Sequence, residues 1–498
     1  MCRTLQLQQM KKYYFHILLI VLVTGLGSCK KWLELKPQDG IVGDEFWNTK
    51  EQVEAAVTGV YTSLQANTEF FFVWGEARAD MVIPGFRASP DELDIVNLNM
   101  LPDNRFVNWR IIYQSINYCN TIIQMAPGVL QKDNTFDQAQ LDRALGQALA
   151  IRGLLYFYLV RSFGEVPLNI KATVSDNDVV DLAKSSKEEI LKQIADDLQR
   201  AAASLPETYG AVDQDKGRVT RYGANAILAD VYLWMDKYNE AAAQCDKIID
   251  ANKFSLVNRS NFFNDVFYTG NSRESIFELQ FDQQRLNPFY NMQVPSNKRW
   301  GAATHLVDMV YGIDLVNPIP RSDVRGDNTS FRSSDYIIWK YMGADNYGDN
   351  FRDQDQSFAH WIFYRYADVL LMKAEALNEI NKPLEASRIV KTIRDRADAV
   401  ELKVMDSLNK SSMASYILEE RQRELAFEGK RWYDVLRNAK RNNYEKRQLL
   451  IDMATISLPA DRRQAAFAKL TDNNSHYFPI YFYELQTNKL LEQNSFYK

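Results

Sequence analysis

The amino-acid sequence predicts a mainly α fold, and three observations carry that prediction. From Thr49 onward, apolar residues recur every three or four positions through long stretches, the period of a helix with one buried face. Helix punctuation accompanies the pattern: Thr49 stands where a cap belongs, and Gly164 with Pro167 closes the longest run. Residues 252–361 change character, being rich in Asn, Asp, Gly and aromatics with only short alternating runs, which predicts a few strands among long loops. At 498 residues the chain is too long for one compact core. A hydrophobic content of 46% with 25% charged residues excludes wholesale disorder.

Taken in order, the first helix is expected over 51–64, with Val53, Val57, Val60, Tyr61 and Leu64 on one face. The same period covers 106–125, stopped by Pro127-Gly128, and 136–163. Further helices are expected at 186–205, 220–234 and 239–249, and a second block at 362–380, 384–397 and 413–440. In the middle segment, Ser275 to Phe281 alternates like a strand. Long loops on a helical scaffold are where binding surfaces usually sit, so 252–361 is expected to face a ligand.

Ahead of this lie Lys11-Lys12, a mostly apolar run from Tyr13 to Leu26, and Gly27-Ser28-Cys29. The run is too short to span a bilayer and has the order of a secretory signal. Its end resembles a bacterial lipobox, which implies cleavage after residue 28 and acylation of Cys29, with more than one acyl chain giving a stable anchor. Residues 29–45, with Pro37, Gly40 and Gly43, are expected to form a tether. Losing the three positive charges Arg3, Lys11 and Lys12 takes the net charge from −5 to −8. An acidic chain without a basic block argues against nucleic acid as a partner. Four scattered Cys and four His contain no CxxC pair, so neither a zinc module nor a disulfide scaffold is expected. Cys119 and Cys245 fall on helical stripes and are expected to be buried thiols.

Two helix pairs share a layout: Leu228, Ala229, Tyr232, Tyr238 and Ala241 in one, Leu370, Ala374, Leu377 and Ala386 in the other. Small residues where backbones touch make these pairs resemble tetratricopeptide repeats. Longer motifs accompany them. They are Phe46-Trp47-Asn48-Thr49, Arg152-Gly153-Leu154-Leu155-Tyr156-Phe157, Phe163-Gly164-Glu165-Val166-Pro167, Arg365-Tyr366-Ala367-Asp368, Glu428-Gly429-Lys430-Arg431-Trp432, and a C-terminus at Asn494-Ser495-Phe496-Tyr497.

In that order, from Cys29 to the end, they closely resemble the SusD/RagB family of nutrient-binding lipoproteins of Bacteroidota. The resemblance implies a SusD-like fold in five parts. These are a signal (1–28), a lipidated tether (29–45), an N-terminal helical region (46–251), a ligand-facing region (252–361) and a C-terminal helical region (362–498). It implies a binding lipoprotein without cofactor, displayed on the outer membrane. Such a protein would capture an oligosaccharide, or less often a peptide, and pass it to a SusC-like TonB-dependent transporter. The residues after Cys29 are Lys-Lys-Trp-Leu-Glu, without the acidic pair often associated with surface export.

Two other functions have sequence features to answer for. Glu420, Glu424 and Glu428 lie four apart, and Asp368 falls on an apolar stripe, so a glycoside hydrolase would seek its paired carboxylates here. Arginines beside nearly every acid, Arg421, Arg423 and Arg431 among them, favour ion pairs that dock helices instead. A repeat scaffold that binds only protein is the other alternative. For a sugar platform, rings outside the helical motifs and beside hydrogen-bonding groups are the candidates: Phe71, Phe72 and Trp74 near Arg78, Asp80 and Arg87, and Trp300 after Lys298-Arg299. No metal-ligand spacing or catalytic motif appears.

Overall fold

Twelve principal helices and four short strands build the computed structural model, which describes residues 46–314 and 321–498. The signal segment, Cys29 and the tether to residue 45 lie outside the described residues. Of the first unit, to Asn48, only Phe46–Asn48 is described, with the Phe46 and Trp47 rings edge to face. Thr49–Lys498 forms the second unit.

Helix α1 (Lys50–Ala66) starts at a reciprocal cap in which Thr49 accepts from the Gln52 amide and Gln52 accepts from that of Thr49. It leans on α2 (Arg110–Met125) and α3 (Gln138–Phe163). From α3 a ladder of neighbouring helices runs through α4 (Lys187–Ser204), α5 (Arg221–Trp234), α6 (Tyr238–Ile249), α7 (Tyr366–Glu379) and α8 (Pro383–Ala397). Cys119 on α2 and Cys245 on α6 lie buried as free thiols.

The two predicted repeat pairs are α5/α6 and α7/α8, and they match beyond their apolar spacing. Each first helix ends with a left-handed residue, Asp236 at φ 57° or Asn381 at φ 63°. The amide after it then bonds back five residues, Lys237 to Tyr232 at 2.8 Å and Lys382 to Leu377 at 2.9 Å. Identical turns put Ala241 and Ala386 at equivalent, fully buried places in the second helix. Tight helix contact requires small side chains there.

Two stretches expected to be continuous helix are interrupted. Trp361–Arg365 is strand β4, antiparallel to β2 (Ser275–Leu279), and only then does α7 begin. All five residues of β4 are buried, and a fully buried strand carries the same unbroken apolar run as a buried helix. The run 413–440 splits into α9 (Lys410–Glu424) and α10 (Arg431–Tyr444) around a turn with Phe427 and Gly429 at positive φ. That turn wraps Glu76, whose carboxylate accepts from the Phe427 and Gly429 amides. Burial pushes the Glu76 carboxyl up to about 8. Beyond α10, α11 (Gln448–Ser457) and α12 (Ala460–Leu470) lead to the C-terminus. A second ribbon pairs β1 (Val82–Pro84) with β3 (Trp300–Ala302), joining the chain after α1 to the middle segment.

A network of buried ion pairs ties these parts together. Arg365, at the β4–α7 junction, reaches Glu274 before β2, Glu424 on α9 and Glu428 in the turn after it. Arg325, from the middle segment, reaches Asp323, Glu420 and Glu424. Arg394 and Arg396 of α8 close on Glu420 and Glu424. Alongside, Asp368 is held by Arg421 and Lys430, and Arg437 spans Glu375 and Asp434. The acids pair with arginines as the sequence suggests. Many partners are distant in sequence, however, and Arg431 turns instead to Asp80.

Gly75→Ala should lower the melting temperature by many degrees, because its new Cβ would lie 1.9 Å from the Gly429 carbonyl oxygen. Gly59→Ala, with nothing within 4 Å on α1, should instead stabilise by about 0.5–1 kcal/mol. Thermal unfolding of both variants decides the pair. Glu424→Gln should cost about 3–5 kcal/mol by removing a buried negative charge that Arg325, Arg365 and Arg396 share. Burial would raise the Glu420 and Asp368 carboxyls, yet Arg325 beside one and Lys430 beside the other hold both at about 2. Their contribution is complete above the unfolded values of 4.5 and 3.8 and is lost as pH falls towards 2. Urea titrations at stepped pH should show that decline, shallower in Glu420→Gln.

Candidate ligand-binding site

The rings expected to form a sugar platform are core residues. Phe71, Phe72, Trp74 and Trp300 have no exposed surface, and Arg78 and Asp80 are buried with them. Trp74 donates its indole N–H to the Phe106 carbonyl at 2.8 Å and packs edge-on to Phe163. Phe71 lies between Tyr158 and Phe363, and Phe72 between Phe289 and Trp300. None keeps a face for a sugar. The stretch has no helical stripe because it is covered on every side, a short helix (Thr68–Phe72) running into a π-helical turn (Val73–Ala77). A segment with no polar face looks irregular in sequence whether it is wholly buried or wholly exposed.

Of the predicted group only Arg87 reaches the surface, and it does so beside a ring that sequence reasoning missed. Phe86 is 69% exposed, at the bend that follows β1. The Arg87 guanidinium lies 5.8 Å from that ring. The bend is fixed by the neighbouring strand: Gly85 N–H donates to the Arg299 carbonyl at 2.8 Å and Arg87 N–H to that of Lys298 at 3.0 Å. Gly85 permits this approach, since a Cβ there would meet the Lys298 carbonyl oxygen at 2.2 Å. Behind the bend, Arg299 and Arg105 share Glu69 and Glu92. Burial alone would raise the Glu69 carboxyl, but the two guanidiniums hold it below its usual range.

A second exposed ring crowns a loop of the middle segment. Tyr347 is 76% exposed, flanked by exposed Asn346, Asp349 and Asn350. Asp345 organises the loop by accepting the amides of Tyr347, Gly348, Asp349 and Asn350, at 3.0, 2.9, 3.2 and 3.0 Å. Partial burial would raise its carboxyl, yet these bonds and that from the Asn350 side chain hold it down. The Asp345 carbonyl in turn accepts the Trp339 indole N–H at 2.6 Å. A ring held this way loses little entropy on binding.

One chain of bonds links the two loops. Lys298, whose carbonyl holds Arg87, donates its ammonium to the Asp335 carbonyl at 2.6 Å. The Asp335 carboxylate pairs with Arg332 at 2.6 Å, and Arg332 donates to the Gly348 carbonyl beside Tyr347 at 2.8 Å. Flat apolar faces beside guanidinium, amide and carboxylate groups are what sugar recognition uses. The sequence signal for Tyr347 was its run, Gly-Ala-Asp-Asn-Tyr-Gly-Asp-Asn, where a ring has few apolar neighbours to pack against.

Glu420, Glu424, Glu428 and Asp368 are buried to at least 97%, so no sugar reaches them in this structure. Among the described residues no group of three His, Cys, Asp or Glu side chains is placed to hold a metal ion. His360 pairs with Glu278 at 2.8 Å. His476 is buried between the Tyr444 hydroxyl and the Leu470 carbonyl, and burial lowers it to about 4. No described helix is long and apolar enough to cross a membrane.

Comparison with known proteins bears on this architecture. The profile described as "SusD family" matches residues 280–497, and that described as "Starch-binding associating with outer membrane" matches 31–233. SusD-like protein P38 of Formosa agariphila is 26% identical over 87% of this chain and 93% of its own. SusD-like protein P2 of the same organism is 29% identical over 86% and 91%. Among solved structures, a SusD superfamily protein of Bacteroides vulgatus superposes with a TM-score of 0.73 at 22% identity, covering 91% of this chain and all of the other. A laminarin-binding SusD-like protein superposes at 0.67 with 21% identity, over 90% and 99%. Matches at both ends of the chain, on one shared helical frame, make this protein a member of the SusD/RagB family.

Proposed function

We propose that the protein is a cell-surface lipoprotein that captures an oligosaccharide on the Phe86–Tyr347 ridge and hands it to a TonB-dependent outer-membrane transporter. The observation that carries this reading is the pair of exposed rings on loops that hydrogen bonds hold rigid. Carbohydrate binding is also the property named in the N-terminal profile and in the laminarin-binding neighbour. Acylated Cys29 anchors the chain, and Arg87, Asn346, Asp349 and Asn350 supply the hydrogen bonds that orient hydroxyls around the stacked rings.

Calorimetry with a panel of soluble glycans tests the ridge. Tyr347→Ala and Phe86→Ala should each lose about 1–3 kcal/mol of binding, in the range of base stacking on aromatics, while melting like wild type. Stable variants that bind as wild type would move the platform elsewhere, and release of reducing ends from a glycan would make the protein an enzyme. The anchor has its own test. Mass spectrometry of the N-terminal peptide from native membranes should find Cys29 as the first residue, with lipid on sulfur and nitrogen. An unmodified Cys29 rejects the lipoprotein reading.

A further inference from the structure

Tyr336 holds a backbone conformation that its side-chain contacts do not explain. Its φ is 56°, in the left-handed region that crowds a Cβ and suits Gly, Asn or Asp. Among the described residues, the other aromatic side chains at positive φ are Phe427 and Tyr444, and packing accounts for both. Phe427 is fully buried, while Tyr444 lies against the His476 ring and meets its Nδ1 through the hydroxyl at 3.1 Å. Tyr336 is only half-buried. No described ring packs on it, and its hydroxyl has no hydrogen-bond partner among the described residues.

The strained conformation is fixed through the backbone on both sides. The Tyr336 N–H donates to the Arg332 carbonyl at 2.7 Å, and its own carbonyl accepts from the Ala302 amide of β3 at 2.8 Å. The carbonyl before it, of Asp335, accepts the Lys298 ammonium at 2.6 Å. The Asp335 carboxylate grips Arg332 through Nε at 3.1 Å and Nη2 at 2.6 Å. Gly301 lets β3 come this close: a Cβ there would stand 3.0 Å from the Tyr336 carbonyl oxygen and 2.6 Å from Lys298 Cε. This turn is the middle link in the bonds that join the Phe86 bend to the Tyr347 loop. Strain that the surroundings impose, and that no packing of the side chain requires, is a mark of positions shaped for a ligand.

From the left-handed backbone of Tyr336, its uncommitted ring and its place in the bonds between the two exposed loops, we infer that Tyr336 is the central contact residue of the ridge. Its ring takes a sugar face and its hydroxyl a sugar hydroxyl, so the ridge holds an oligosaccharide that spans both loops rather than a single terminal sugar. A phenol offers both contacts at once. A backbone already bonded on either side of it loses little entropy when the ligand arrives. This inference rests on the Phe86–Tyr347 ridge being the glycan site.

The test uses the mature protein without its lipid. Maltohexaose, laminarihexaose and xylohexaose are the calorimetric probes, run beside glucose and xylose. Tyr336→Asn suits the left-handed backbone and should melt no lower than wild type. It should nevertheless bind the preferred hexasaccharide about fivefold more weakly or worse, the smaller effect expected of losing a stacking ring. Tyr336→Phe keeps the ring and should lose about threefold. The monosaccharide should bind roughly tenfold more weakly than its hexamer, or worse, because it reaches one ring only. A lower melting temperature for Tyr336→Asn with unchanged binding makes the ring a packing residue and overturns the inference. So does equal binding of monosaccharide and hexamer. Loss of binding in Phe86→Ala and Tyr347→Ala but not in Tyr336→Asn overturns it while leaving the ridge in place. If none of these variants weakens binding, or wild type binds no hexasaccharide, ridge and inference fall together.

Discussion

The buried charge network around Arg365 is the constraint on which the rest of the structure depends. Desolvating a guanidinium costs several kcal/mol, and the cost is recovered only if every donor finds an acceptor in good geometry. Arg365 meets that condition with the carboxylates of Glu274, Glu424 and Glu428 and the Glu424 carbonyl. Those partners come from two stretches of chain far from Arg365, at Glu274 and at Glu424–Glu428. The strand pair, α9 and the turn at Gly429 must therefore arrive together. Arg325 extends the demand to the middle segment, which has little regular structure of its own. A loop-rich region thus acquires fixed positions from the charges at its base.

Rigidity at the base explains how loops can act as a binding surface. Asp345 and Arg332 hold the Tyr347 loop from below, and β3 holds the bend at Phe86. The exposed rings then stand on a frame whose entropy was lost on folding. Binding through them need not order the loops again.

Helices were legible in the sequence wherever one face met water. In α1 and α4 the polar side made the period visible, and the cap at Thr49 marked the start of α1. Where both faces are covered the pattern was ambiguous: it still found α5, buried from Tyr222 to Trp234, but not the strand β4. β4 passed for helix because buried strands and buried helices both consist of unbroken apolar runs, and only the strand's pairing with β2 separates them. The break between α9 and α10 was hidden for another reason: it depends on Glu76, far away in sequence, whose carboxylate supplies acceptors to a turn that has no strong signal of its own. The same ambiguity, in reverse, made buried rings look like loop rings. Trp74 and Trp300 lacked a stripe because they are enclosed, whereas Tyr347, set in Asn, Asp and Gly, lacked one because few apolar side chains lie near it in sequence.

That division separates what makes the fold from what would choose a ligand. Most acids of the network serve several cations at once, so exchanging Glu424 disturbs Arg325, Arg365 and Arg396 together. No single substitution there is local. The ridge is wired differently. Its loops are fixed by backbone carbonyls and amides and by Asp345, none of which uses the side chain of Phe86 or Tyr347. Either ring can be exchanged without removing a bond that shapes its loop. A frame whose charges are mutually dependent, carrying a rim whose rings are not, can hold one architecture while its rim is refitted to a different sugar.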